Sequence, residues 1–152
     1  MNVEFGDLMG MSMVGSIMSR LQIKEDDRIK GIKAEKVTVL VPKAISNGSV
    51  NHQELTEYEV KEGSGQSRLT VVDDIVIKLT TPYSCALITE EDEDLVVPSY
   101  CMICRDFDTQ EVDLDYLVGY LNTEYARQLL TAGVAATTNS MLKPKDVHRL
   151  PV

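Results

Sequence analysis

The triplet Ile75-Val76-Ile77 constrains this chain more than any other feature. Consecutive side chains on a strand point to opposite faces, so three branched apolar residues in a row need cover on both sides. They belong to residues 69–79, which read as strand, turn and strand, with Asp73-Asp74 at the turn. Other short segments share the strand character. Residues 37–42 (Val-Thr-Val-Leu-Val-Pro) form a β-branched run broken by proline, and Thr56–Lys61 alternates polar and apolar residues. Residues 85–89 and 95–105 make two more strands around the acidic loop 90–94. Asn47-Gly48 signals a turn, and Gly63-Ser64-Gly65-Gln66-Ser67 reads as a flexible loop.

One segment keeps a different period. Leu114, Leu117, Val118, Leu121, Tyr125 and Leu129 recur at helical spacing behind Asp113, a suitable N-cap. The spacing predicts one long helix ending near Ala132-Gly133, where glycine suits the C-cap. Pro144 fits the first position of a further short helix. The expected fold class is therefore α+β: a mostly antiparallel sheet with one long C-terminal helix and short accessory helices.

At 152 residues the chain has material for one core and is expected to be one domain. Its longest uncharged run, residues 128–142, falls short of the ~20 apolar residues a membrane span needs. The first 19 residues carry Glu4 and Asp7 and no Lys or Arg, so they lack the basic start of a signal peptide. No membrane association and a cytoplasmic location are expected. Cys85, Cys101 and Cys104 cannot all pair within one chain, and reduced thiols are the default.

The formal net charge is −9, unfavourable for binding a polyanion, but it is unevenly spread. Residues 17–50 hold seven Lys or Arg against four acids, a local balance of +3 that leaves −12 for the rest. Residues 133–149 are also basic, with Lys143, Lys145 and Arg149 against Asp146. Acids concentrate in residues 90–94 and 106–115. Such a molecule can present one basic face, with modest affinity for DNA on its own.

Three constellations invite catalytic or metal readings. Cys101-Met102-Ile103-Cys104 has the spacing of a zinc clasp, yet on a strand residues i and i+3 face opposite ways, so both sulfurs are expected in the core. Thr80-Thr81-Pro82-Tyr83 superficially resembles the Asn/Asp-Pro-Pro-Tyr motif of amino-methyltransferases. Threonine is a poor acceptor for the target amino group, one proline is missing, and no Gly-rich turn follows a first strand to hold a methyl donor. An exposed loop is expected there. Glu90-Glu91-Asp92-Glu93-Asp94 could attract a hard cation, but consecutive acids without spaced ligands read as a solvated turn. With no nucleophile–base spacing either, no enzymatic site, cofactor or metal is expected.

A succession of short motifs then carries a resemblance. Val39-Leu40-Val41-Pro42-Lys43-Ala44-Ile45 is followed by Asn47-Gly48, and Asp74-Ile75-Val76-Ile77-Lys78-Leu79 by Pro82-Tyr83 and Val97-Pro98-Ser99. Asp115-Tyr116-Leu117, Tyr120-Leu121-Asn122, Lys145-Asp146-Val147 and Leu150-Pro151 complete the series. In order and spacing, from Phe5-Gly6-Asp7-Leu8 to Pro151, the chain resembles one target-recognition domain of a type I restriction–modification specificity subunit. The resemblance implies a curved, mostly antiparallel sheet that presents loops to the DNA major groove. It also implies a methyltransferase subunit as partner, bringing S-adenosylmethionine, and a second recognition domain for the other half of a split site. Residues 1–152 are expected to form a single such domain, without spacer helix or second domain. Asp73 departs from the glycine common at that place in the family.

From side-chain chemistry, phosphate contacts come from Lys, Arg and loop hydroxyls, and base contacts from Arg, Lys, Asn and Gln. The candidate DNA-binding residues are Ser19, Arg20, Lys43, Asn47, Gln66, Arg68, Lys78, Lys143 and Lys145. The leading expectation is a non-catalytic, sequence-specific DNA-recognition module. The alternative is a protein-interaction domain whose acidic surface docks on a basic partner or mimics DNA. An unrelated small enzyme is the third.

Overall fold

In the computed structural model, Ile75, Val76 and Ile77 are completely buried and sit in an interior strand. The structure describes residues 3–66, 68–132 and 141–152. Four strands form the central sheet: β1 (Met9–Val14), β6 (Ile75–Lys78), β7 (Cys85–Leu87) and β8 (Cys101–Phe107), in the order β1-β8-β6-β7. All of its ladders are antiparallel. Two smaller antiparallel ladders accompany it. One pairs β2 (Ala34–Val39) with β5 (Thr56–Lys61). The other pairs β3 (Ile45–Ser46) with β4 (Ser49–Val50) around the expected Asn47-Gly48 turn, where Gly48 takes φ +102°.

Each face of the sheet has its own apolar layer. Ile75, Ile77, Met102, Cys85 and Cys104 face helices α3 (Leu114–Leu121), α4 (Glu124–Thr131) and α5 (Pro144–His148). Val76, Ala86, Cys101 and Ile103 face Leu40, Ala44, Ile45, Ile88, Leu95 and Val97. The alternation of β8 thus sends Cys101 and Cys104 to opposite layers, as strand geometry requires. Two short helices, α1 (Met18–Leu21) and α2 (Glu25–Ile29), lie between β1 and β2 in sequence. Among the described residues no helix is long and apolar enough to cross a membrane.

The expected long helix is two helices. Asn122 turns its amide onto the edge strand: Oδ1 accepts from the Cys85 backbone N–H at 2.9 Å, and Nδ2 donates to the Cys85 carbonyl at 3.1 Å. Thr123 then caps α4 by accepting from the Ala126 N–H at 3.1 Å. These bonds compete with helix propagation and shift the apolar stripe. Ala126 and Leu130 are buried in α4, whereas Tyr125 is exposed. Asp113 does cap α3, accepting from the Tyr116 N–H, and Pro144 opens α5. The glycine C-cap expected at Gly133 lies outside the described residues.

Other boundaries move by a few residues. The strand expected over 37–42 runs instead over Ala34–Val39, and that over 95–105 narrows to Cys101–Phe107. Leu69 forms only an isolated bridge, to Val96. Ser64–Gln66, expected as loop, is a short 3-10 helix with Gly65 buried. Tyr83 is buried, not part of an exposed loop, and Asp92 is a buried acid within the turn expected to be solvated. One Asp92 carboxylate oxygen accepts from the Thr89 backbone and hydroxyl at 3.0 and 2.8 Å; the other lies 2.6 Å from Nε2 of His52. Asp74, 1% exposed, takes two hydrogen bonds of 2.9 Å from Arg105, which ties β6 to β8.

Candidate nucleic-acid interface

The register fixes what lies at each end of the central sheet. Val14 pairs with Met102, Lys78 with Cys101, and Ile77 with Cys85, so the close of β1 and β6 and the start of β7 and β8 share one end. Residues 15–17, 79–84 and 98–100 leave the sheet there. Met9, Phe107, Ile75 and Leu87 mark the other end, from which residues 71–74, 88–94 and 108–113 leave.

The first end gathers cations. Gly15 packs so closely that a Cβ would lie 2.1 Å from the Pro98 carbonyl oxygen, so glycine alone lets the chain turn here into α1. Beyond that turn, Arg20 and Arg68 line one cleft of about 240 Å³ with Gly15, Ser16, Ile17 and Leu21. Arg68 donates to the Val14 carbonyl, and its backbone adopts φ +58°. Lys61 donates to the Arg20 carbonyl at 3.3 Å, and the Ser64 hydroxyl holds the 3-10 helix that carries Gln66 beside Leu21. Ser19, Arg20, Gln66 and Arg68 thus share one neighbourhood and are all exposed.

Across the same end, Lys78 is only 9% exposed, on the face of Val76. Leu142, next to Lys143, donates to the Leu79 carbonyl at 2.7 Å and brings exposed Lys143 toward this end. Asn47 reaches it from the hairpin, where it contacts Ser84 and Arg127. Arg127 is a member that sequence reasoning missed. Its signal was visible: it is the single basic residue between Leu114 and Thr131. Thr81, Pro82, Tyr83, Glu124, Gln128 and Thr131 line a second cleft with it, of about 230 Å³.

Two candidates lie elsewhere. Lys43 is 3.5 Å from Glu54, in a segment that continues to the His52–Asp92 contact near the other end. Lys145 is exposed on α5, whose His148 bonds Ser12 within β1 at 2.9 Å.

The opposite end is acidic. Asp73, Glu90, Glu91, Asp92, Glu93, Asp94, Asp108, Glu111 and Asp113 occupy its loops, Asp106 lies near the close of β8, and Arg105 beside it is committed to Asp74. A dipolar distribution of this kind leaves one cationic end on a chain of net charge −9. Burial would raise the Asp92 carboxyl, but hydrogen bonds from Thr89 and contact with His52 hold it below the usual carboxylate value. Burial pushes the thiols of Cys85 and Cys101 up to about 12 and that of Cys104 well above its ordinary value. They are poor thiolates and poor metal ligands.

No family profile and no curated protein sequence matches this chain. Solved structures do. A chain from a study of complex assembly and conformational transition in the type I R-M system superimposes with a TM-score of 0.66 at 16% identity. The HsdS subunit from Thermoanaerobacter tengcongensis superimposes with a TM-score of 0.63 at 14% identity. Each alignment covers 100% of this chain and 37% of the matched chain. Over its whole length the chain has the fold of part of a type I restriction–modification HsdS subunit, and it spans little more than a third of such a subunit's length.

Proposed function

We propose that this chain is a non-catalytic module for sequence-specific recognition of double-stranded DNA in a type I restriction–modification-like system. The observation that carries the reading is the match of the entire chain to the fold of an HsdS subunit, in agreement with the motif series from Phe5 to Pro151. The cationic end of the sheet supplies the surface. Arg20, Arg68 and Lys143 are its phosphate-facing groups, and Asn47 and Gln66 its base-reading groups. Ser19 adds a hydroxyl, Lys78 a partly screened charge, and Lys43 and Lys145 outlying ones. A methyltransferase subunit, with its S-adenosylmethionine, supplies the chemistry, and a second recognition domain reads the other half-site.

Burial of Tyr83 supports the non-catalytic part, because a packed ring cannot stack on a flipped base. One observation favours a second reading: the acidic end is as coherent as the basic one, which suits docking on a basic protein or mimicry of DNA. Equilibrium binding to mixed-sequence duplex at low salt separates the two. Recognition predicts association by the chain alone, strengthened with a methyltransferase subunit. Mimicry predicts none, and a complex with a basic protein instead. Transfer of labelled methyl groups to DNA by the purified chain would contradict the non-catalytic assignment.

A further inference from the structure

Neighbours fix the polarity of the Asn47 amide. Nη2 of Arg127 donates to Asn47 Oδ1 at 2.8 Å, and the Ser84 hydroxyl donates to the same oxygen at 3.3 Å. A guanidinium has no acceptor, so the amide cannot be turned over without setting its NH2 against N–H donors. Both lone pairs of the oxygen are thereby engaged. Nδ2 meets no acceptor among the described residues, and the side chain is exposed at the hairpin tip.

Arg127 is itself held in place. The same Nη2 lies 3.3 Å from Asn122 Oδ1 and 3.5 Å from Ser84 Oγ, and Arg127 forms no ion pair among the described residues. Its Nε is buried without a hydrogen-bond partner among the described residues. An unneutralised cation against the amide oxygen draws charge from the amide and strengthens its N–H groups as donors.

We propose that Asn47 acts as a donor-only reader and selects guanine at one position of the target. The proposal rests on the DNA-recognition reading above. Asparagine ordinarily pairs with adenine through both ends, accepting from N6–H and donating to N7. With Oδ1 already occupied, that pair is closed. Guanine presents O6 and N7, both acceptors, to the free NH2. Thymine offers O4 alone, and cytosine presents an amino group that opposes the amide. Guanine is therefore preferred, thymine tolerated and cytosine rejected.

The test is selection from a randomised duplex library by the full chain at low salt, followed by sequencing, for the wild type, Asn47→Asp and Arg127→Met. Asn47→Asp is isosteric and replaces the donor with an acceptor. Thermal melting of each variant checks that it remains folded. The wild type should enrich guanine over adenine at one position by about tenfold. Asn47→Asp should exchange guanine for cytosine or adenine there, and Arg127→Met should raise adenine at that position only. Adenine preference in the wild type, or a wild-type pattern unchanged in both variants, overturns the assignment while leaving DNA recognition intact. Failure of the wild type to enrich any sequence overturns the assignment together with the reading beneath it.

Discussion

Asp92 shows how one residue here changes character with its surroundings. In sequence it is the middle of five consecutive acids; in the fold it is buried and receives hydrogen bonds from Thr89, with His52 against its other oxygen. Its folded-state pKa is lowered, so its contribution is present above the unfolded carboxylate value near 4 and is lost as pH falls through the lower folded value. Asn in its place leaves Thr89 and His52 poorly matched. Asp92→Asn should therefore cost about 1–3 kcal/mol in urea unfolding at pH 7. In strong acid, where the carboxyl is protonated in both states, the difference should shrink toward zero; a constant deficit at all pH would refute the assignment. The cysteines yield a second prediction at this scale. Buried on opposite layers, Cys101 and Cys104 should leave the protein without stoichiometric zinc, and all three thiols should resist a disulfide reagent until the chain unfolds. Zinc that is lost in Cys101→Ser would contradict this.

At the scale of elements, short-range pattern was legible and long-range competition was not. Alternation located Thr56–Lys61 to the residue, and the apolar triplet identified the interior strand β6. Helical spacing failed at Asn122-Thr123 because the side chain of Asn122 bonds Cys85, a partner 37 residues away that no local period reveals. A polar Asn-Thr pair inside the run was the available warning. The same limit applied to the interface. Arg127 and Asn47 are 80 residues apart and meet at the start of β7, where Gly48 and Asn122 both bond Cys85, so composition could find the cations but not their common end. The turn at Gly15 is the element-scale device that shapes the Arg20–Arg68 cleft. A Cβ there would strike backbone carbonyls of Val97 and Pro98, which cannot step aside as a flexible side chain would. Gly15→Ala should lower the thermal midpoint by several degrees, about 1–3 kcal/mol, and weaken DNA binding beyond what the stability loss explains. Wild-type melting and binding in Gly15→Ala would show that the close approach does not shape the cleft.

For the whole molecule the decisive property is the separation of charge between the two ends of one sheet. Net charge alone points away from DNA; on the proposed reading the arrangement offsets it, because the acids at the far end would be distant from a duplex held at the cationic end. The measurement that tests this most directly is the slope of log affinity against log salt for duplex DNA. Each neutralised phosphate contributes about −0.9, so contacts from Arg20, Arg68 and Lys143 should give a slope of roughly −2 to −3. Arg20→Glu and Lys143→Glu should each weaken binding to all sequences alike and flatten the slope by about one contact. Lys43→Glu, away from the cationic end, should change it little. A chain that associates with no duplex at low salt, alone or with a methyltransferase subunit, or a slope that Lys43→Glu flattens as much as Arg20→Glu does, would contradict the account.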